Sequence, residues 1–213
     1  HSFPTRRSSD LKIYKEAADT ENRYILTCKN TDKICIFTNK GQMHLLKVLD
    51  LPYGKFRDKG IPIDNLSNYN SGEENFIYII NLGAIIHSRL LFGTRTAMLK
   101  MVDGSEFDVA KRTTAATKLN DEDELLIVHA MTGGETVVMQ SEKEMFLRIE
   151  ASTIPEKKKG AVGVRGMKLN AGDALSHIYV LDGESEQTVE VKGKEVVLNR
   201  LHVGNRDTKG TKR

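Results

Sequence analysis

RLLFGTRTAMLKMVDGSEFDVAKRTTAATKLNDEDELLIVHAM (89–131) contains one complete structural unit of the chain. It reads as an apolar strand (RLLFGT, 89–94), a polar turn, a second apolar strand (AMLKMV, 97–102), a loop with basic residues, an acidic loop (NDEDE, 120–124) and a closing strand (ELLIVHAM, 124–131). Each run is short, rich in large apolar residues and bounded by turn residues, as strands are. No helical periodicity runs through it for more than about ten residues.

The same grammar extends in both directions. Strand-like runs occur at RYILTC (23–28), KICIFT (33–38), MHLLKV (43–48), NFIYIINL (75–82), TVVMQS (136–141), EMFLRI (144–149), SHIYVL (176–181), TVEV (188–191) and EVVLNRL (195–201). The best helix candidate is a single turn near Ser152–Lys157. Aligning the hairpin turns at Gly41, Ala97, Glu144 and Gly193 gives separations of 56, 47 and 49. Aligning the basic loops at Arg57, Arg112, Lys159 and Lys209 gives 55, 47 and 50. Acidic loops also recur, as SGEEN (71–75), NDEDE (120–124) and NAGDA (170–174). Two landmarks that keep step imply about four repeats, the last incomplete. A four-stranded unit at this period predicts an all-β, propeller-like array of about four antiparallel blades. The plainer alternative is a β-sandwich or barrel whose spacing is accidental.

Composition bounds the function. Hydrophobic residues make up 39% of the 213, enough for a packed core, and the formal charge is +3. From Lys157 to Arg213 there are 12 Lys/Arg against 7 Asp/Glu, whereas from Lys12 to Glu156 there are 18 against 21. The basic excess near the C-terminus permits an anionic partner. Cys28 and Cys35 read as two buried strand thiols, because the six histidines are scattered singly and supply no zinc-site spacing. No catalytic or metal-binding constellation stands out. Gly160, Gly163 and Gly166 do not have dinucleotide-fingerprint spacing. Asp103 to Asp108 places its glycine too early for a calcium loop. Asp121, Glu122, Asp123 and Glu124 read as a solvated acidic turn. No apolar run has the length of a membrane span.

The first eleven residues stand apart. HSFPTRRSSDL (1–11) coincides with the translation of a common sequencing-adapter oligonucleotide. It is therefore read as a library artefact, with residues 12–213 as one native domain whose natural start lies upstream.

From Thr31 onward the units resemble the C-terminal domain of the A subunits of the bacterial type IIA topoisomerases, DNA gyrase and topoisomerase IV. The resemblance is carried by TDKICIFTNKGQMHLLKVLDLPYGKFRDKGIPIDNL (31–66), LLFGTRTAMLKMVDGSEFDVAKRTTAATKL (90–119), EKKKGAVGVRGMKLNAGDAL (156–175) and NRLHVGNRDTKGTKR (199–213). It implies a β-pinwheel whose neighbouring blades exchange strands and whose outer rim wraps double-stranded DNA without sequence preference. By the same resemblance, the parent would be an ATP-dependent topoisomerase, an A2B2 complex with an ATPase B subunit, cytoplasmic and nucleoid-associated. ATP, Mg2+ and the nucleophilic tyrosine would lie elsewhere in it, leaving no catalytic residue or cofactor in this stretch. Gyrase A subunits carry a Gln-Arg-Arg-Gly-Gly-Lys-Gly box in the first blade. Here the nearest stretch is Lys157–Gly163, in a late unit. This leaves open a topoisomerase IV-type or atypical form, or a box further upstream.

Wrapping DNA requires positive charge repeated along a curved surface. The candidate DNA-binding residues are Lys55, Arg57 and Lys59 in the first unit, and Lys111, Arg112 and Lys118 in the second, with Arg95 and Lys100 nearby. The third unit offers Lys157, Lys158, Lys159, Arg165 and Lys168, and the last offers Arg206 and Lys209, followed by Lys212 and Arg213. Gly60, Gly160, Gly163, Gly166 and Gly210 are expected to let backbone N–H groups approach phosphates. The alternative function is a propeller-like scaffold that binds protein.

Overall fold

Each unit is organised around one hairpin, and four hairpins follow one another: β1 (Lys33–Thr38) with β2 (Gln42–Lys47), β4 (Arg89–Thr94) with β5 (Met98–Asp103), β8 (Thr136–Ser141) with β9 (Met145–Glu150), and β13 (Thr188–Val191) with β14 (Lys194–Val197). The computed structural model describes residues 23–55 and 58–213. The supposed artefact His1–Leu11 and the candidate Arg57 lie outside the described residues. A closing strand returns to the first strand of each of the first three hairpins: β3 (Phe76–Asn81) on β1, β7 (Leu125–Met131) on β4, and β12 (Leu175–Leu181) on β8.

The sheets of the first three hairpins are completed by the following unit, with one strand added to each of the first two and two strands added to the third. β6 (Thr113–Ala115) pairs with β2, and β10 (Val164–Arg165) pairs with β5. β15 (Val203–Gly204) and β17 (Thr211–Lys212) both pair with β9. One hydrogen bond repeats at every exchange. Ala116 N donates to Gly41 O (2.7 Å), Gly166 N to Ala97 O (2.7 Å) and Arg213 N to Glu144 O (3.2 Å). The carbonyls that accept belong to the turn residues aligned in the sequence. Gly41, Ala97 and Glu144 have φ of 73, 66 and 63°, each ending a turn closed by a 3.0 Å bond to Thr38, Thr94 or Ser141. A type I turn followed by a left-handed residue matches the twist of a hairpin. Alanine and glutamate accept that conformation because the exchanged strand holds their carbonyls in place.

Blades pack face to face, and this explains the near-continuous apolar runs. In β4, Leu90 and Phe92 face a core shared with the first blade, while Leu91 faces a core shared with the third. In β8, Val137 and Met139 enter that second core, and Val138 enters a third, with Val191 and Leu198 of the last hairpin. A sheet covered on both faces has no polar side to alternate with. One-turn helix α1 (Leu82–Ile85) and 3-10 turns at Val48–Asp50, Gly104–Phe107, Ala151–Thr153 and Leu198–Arg200 complete the units. Of the turn expected near 152–157, only residues 152–153 fall in a helical turn, the third of these, and 155–157 run extended beside β5.

Two strand expectations change. Residues 23–28 form no strand; Tyr24 instead donates its hydroxyl to Ile77 O (3.1 Å) and packs edge-on to Phe76. EVVLNRL ends as a strand at Val197, where the chain turns into the last 3-10 segment. Cys35 is buried in β1, but Cys28 is only half-buried and lies outside any strand.

The acidic loops clasp the hairpin turn of their own blade. Asp123 is buried, and its carboxylate accepts from Thr96 N (3.0 Å), Thr96 Oγ1 (2.6 Å) and Glu124 N (2.9 Å). Asp173 repeats the motif on Lys143 N (3.2 Å) and Ala174 N (2.9 Å). The expectation of a wholly solvated acidic turn therefore holds for Asp121 and Glu122, which are exposed, and fails for Asp123. A carboxylate here satisfies turn N–H groups that strand pairing leaves free.

The exchange also has a steric requirement. A methyl on Gly163 would overlap Leu99 O and lie 2.7 Å from Leu99 C, and one on Gly210 would lie 2.7 Å from Phe146 O, the matching position of the next hairpin. Gly163→Ala is expected to destabilise the fold by about 2 kcal/mol. Urea unfolding measures this; an unchanged midpoint would show that the seam tolerates a side chain.

Candidate nucleic-acid interface

The basic loops of the third and fourth units are arches over the edge of the preceding blade. In the third unit the chain first runs parallel to β5, with Met101 N donating to Pro155 O (3.0 Å) and Lys157 N to Met101 O (2.8 Å). It then turns at Lys158–Ala161 and descends antiparallel on the same strand as β10. The fourth unit repeats this on β9, with β15 as the parallel leg and β17 as the antiparallel one. Hydrogen bonding to the edge strand fixes the feet of each arch, so the residues between them project outward.

Lys157 and Lys158 are exposed on the third arch. Lys159 is half-buried, its Nζ donating to Glu106 O (3.1 Å). Lys100, grouped with the candidates by sequence, is not at the surface. It is 1% exposed, with its ammonium inside the arch. In the second unit Lys111, Arg112 and Lys118 are exposed, and Arg112 donates to Leu66 O (3.3 Å). Lys55 and Lys59 are exposed in the first. Arg95 is exposed but forms an ion pair with Glu142 at 2.7 Å.

The third and fourth arches meet. β11 (Met167–Lys168) pairs in parallel with β16 (Thr208–Lys209), setting Lys168 directly beside Lys209. Arg206 donates to Arg165 O (3.0 Å), and Arg165 forms an ion pair with Asp207. Arg165, Lys168, Arg206 and Lys209 thus form one patch with a single internal carboxylate. The Arg165 hydrogen bond, with Lys168 and Arg206 beyond it, holds the Asp207 carboxyl below the usual carboxylate range. The pair therefore persists as pH falls from neutrality, and is lost only as pH passes through that lowered value. Lys55 and Lys59, and the second-unit group, are not part of this patch.

A family model described as the DNA gyrase C-terminal domain, β-propeller, matches residues 88–130 and 135–182, two successive units. These two units belong to the DNA gyrase C-terminal domain family. It is 30% identical over 196 residues to the DNA gyrase A protein of Staphylococcus epidermidis and 29% over 194 residues to that of Lawsonia intracellularis. The aligned regions cover 88% and 87% of this chain but only 22% and 23% of those proteins. The solved C-terminal domain of DNA topoisomerase IV superposes with a TM-score of 0.79 at 20% identity, covering 93% of this chain and 66% of that one. A solved DNA gyrase A C-terminal domain gives 0.64 at 20% identity, covering 86% and 60%.

In this gyrase-family domain, three of the glycines expected to face phosphate face protein instead, and two charged residues have roles that local sequence does not mark. Gly163, Gly166 and Gly210 lie against Leu99, Met139, Met167 and Phe146 of the neighbouring blade, so they serve close packing. Gly60 and Gly160 have open space around them. Asp207 is an internal counter-charge, and Lys100 is a buried group. The available signal for Lys100 was a lone charge inside an otherwise apolar strand.

Proposed function

We propose that this domain binds duplex DNA along its basic arches, without reading base sequence, and bends it around the rim. In the parent protein this would present a DNA segment for strand passage by a type II topoisomerase. The supporting observation is the strand exchange, which repeats a basic arch at successive seams and sets Lys168 beside Lys209. Lysine and arginine on such arches neutralise phosphates and release counterions, which favours binding to any sequence. Bending a duplex costs a few kcal/mol, so contacts must recur around the surface to offset it. A single patch could not do this.

Membership of the gyrase family supports a parent that works as an A2B2 complex with an ATPase B subunit, using ATP and Mg2+ in other domains. A cytoplasmic, nucleoid-associated location belongs to the same proposal. Among the described residues no helix is long and apolar enough to cross a membrane.

The test is duplex binding as a function of salt. Each neutralised phosphate contributes about −0.9 to the slope of log affinity against log salt, so several arches predict a steep line. Binding should be equal for unrelated sequences. A flat line, or no binding at low salt, would reject the DNA reading in favour of a protein-binding scaffold.

A further inference from the structure

Three units place a basic side chain on the second hairpin strand so that it reaches forward into the next unit. His44 Nδ1 lies 2.9 Å from Thr113 Oγ1 on β6. Arg148 donates to Asn199 O (2.6 Å) and Leu201 O (3.2 Å). Lys100 goes furthest. Its Nζ donates to Lys158 O (3.1 Å), Lys159 O (3.1 Å) and Ala161 O (2.7 Å), the carbonyls that line the inside of the third arch.

The stoichiometry is complete. An ammonium has three N–H donors and no acceptor, and three carbonyls point at it. Without it, those carbonyls would converge on one point with no donor between them. Phe92 forms the floor, its ring centroid 5.5 Å from Nζ. Glu106, on the Gly104–Phe107 turn, is the charged group that faces Lys100, and it binds the same arch through Lys159 N (3.4 Å). Lys159 Nζ sits on the Glu106 carbonyl oxygen. The arch is therefore tied down from inside, while Lys157 and Lys158 remain exposed on its outer side.

We propose that Lys100 is a positioning residue for DNA binding: its ammonium moulds the 157–161 arch and so sets how Lys157 and Lys158 meet phosphate. This rests on the DNA-binding reading above. Lys100 itself touches no DNA.

The proposal carries a pH signature. Burial pushes the Lys100 ammonium down to about 8, against the opposing pull of Glu106. Between that value and the ordinary lysine value, the folded chain holds fewer protons than the unfolded one. Losing this proton does not by itself oppose folding. The blade persists, while a neutral amine keeps two donors and turns a lone pair toward the carbonyls. The expected effect of mild alkali is a loosened arch on an intact domain.

The experiment compares the full chain with Lys100→Arg and Lys100→Met. Duplex affinity is measured from pH 7 to 9.5, and amide hydrogen exchange of Lys157 and Ala161 at pH 7. Wild-type affinity should fall about fivefold across this range, and Lys100→Arg, which stays charged, should give a flat profile. Lys100→Met should bind more weakly throughout and lose protection at both amides. Identical pH profiles for wild type and Lys100→Arg would overturn the proposal. If the wild type does not bind duplex even at pH 7, the DNA reading falls instead. Exchange then decides the positioning role alone: arch amides as protected in Lys100→Met as in wild type would end it. Should Lys100→Met fail to fold, the wild-type and Lys100→Arg profiles carry the test.

Discussion

Reversing Lys168 and Lys209 together to glutamate should weaken duplex binding about a hundredfold at low salt and make the salt dependence shallower by roughly two units of slope. The two residues are in register on neighbouring parallel strands and both are exposed. Side chains paired this way project from the same face, so both charges meet the same stretch of phosphate. Each reversal removes an attraction and adds a repulsion. The domain itself should melt within about 0.5 kcal/mol of wild type, because neither side chain is buried. Asp207→Asn should act in the opposite direction. It removes the carboxylate inside the patch and frees Arg165, so binding should tighten several-fold. Filter-binding or fluorescence anisotropy across a salt series measures both. Unchanged affinity in both variants would remove this patch from the interface.

Gly104→Ala should lower the unfolding free energy by about 3 kcal/mol, at the upper end of overpacking effects. Gly104 begins the 3-10 turn after β5, where its N–H donates to Ser88 O (2.8 Å). A methyl would overlap the Ile85 carbonyl oxygen and lie 2.7 Å from that carbonyl carbon and 2.9 Å from Ser88 O. These are backbone atoms of α1 and the segment after it, so no rotamer change relieves them. The turn would have to move away from the first inter-blade core, taking Phe107 with it. Gly160→Ala is the matched control. Nothing lies within 4 Å of the added carbon, and the change should stay within about 0.5 kcal/mol. Urea denaturation separates the two; equal midpoints would refute the steric argument.

Much of the blade was legible because it depends on local chemistry. RLLFGT, TVVMQS and TVEV became strands with the expected ends. The turn landmarks Gly41, Ala97 and Glu144 proved to be the left-handed residues that close their hairpins. The exchanged strands β6, β10, β15 and β17 escaped notice. They are two or three residues long and lie within loops rich in Gly, Lys and Arg. Their pairing depends on a partner from the previous unit, so no local apolar pattern marks them. The candidate site divided along similar lines. Lys157, Lys158, Lys168 and Lys209 are exposed as expected, whereas Lys159 is partly withdrawn and Arg165 is ion-paired.

The sequence by itself determined the period, the hairpins and the basic character of one loop per unit. Strand propensity, turn geometry and charge act over a few neighbouring residues and repeat wherever those residues repeat. Only the tertiary structure decided which charges stand together and which are spent on packing. Lys168 meets Lys209, and Lys100 disappears beneath three carbonyls, because each unit completes the sheet of the one before it. Such juxtapositions are set by hydrogen bonds between residues about 40 to 60 positions apart, and no window of sequence contains both partners.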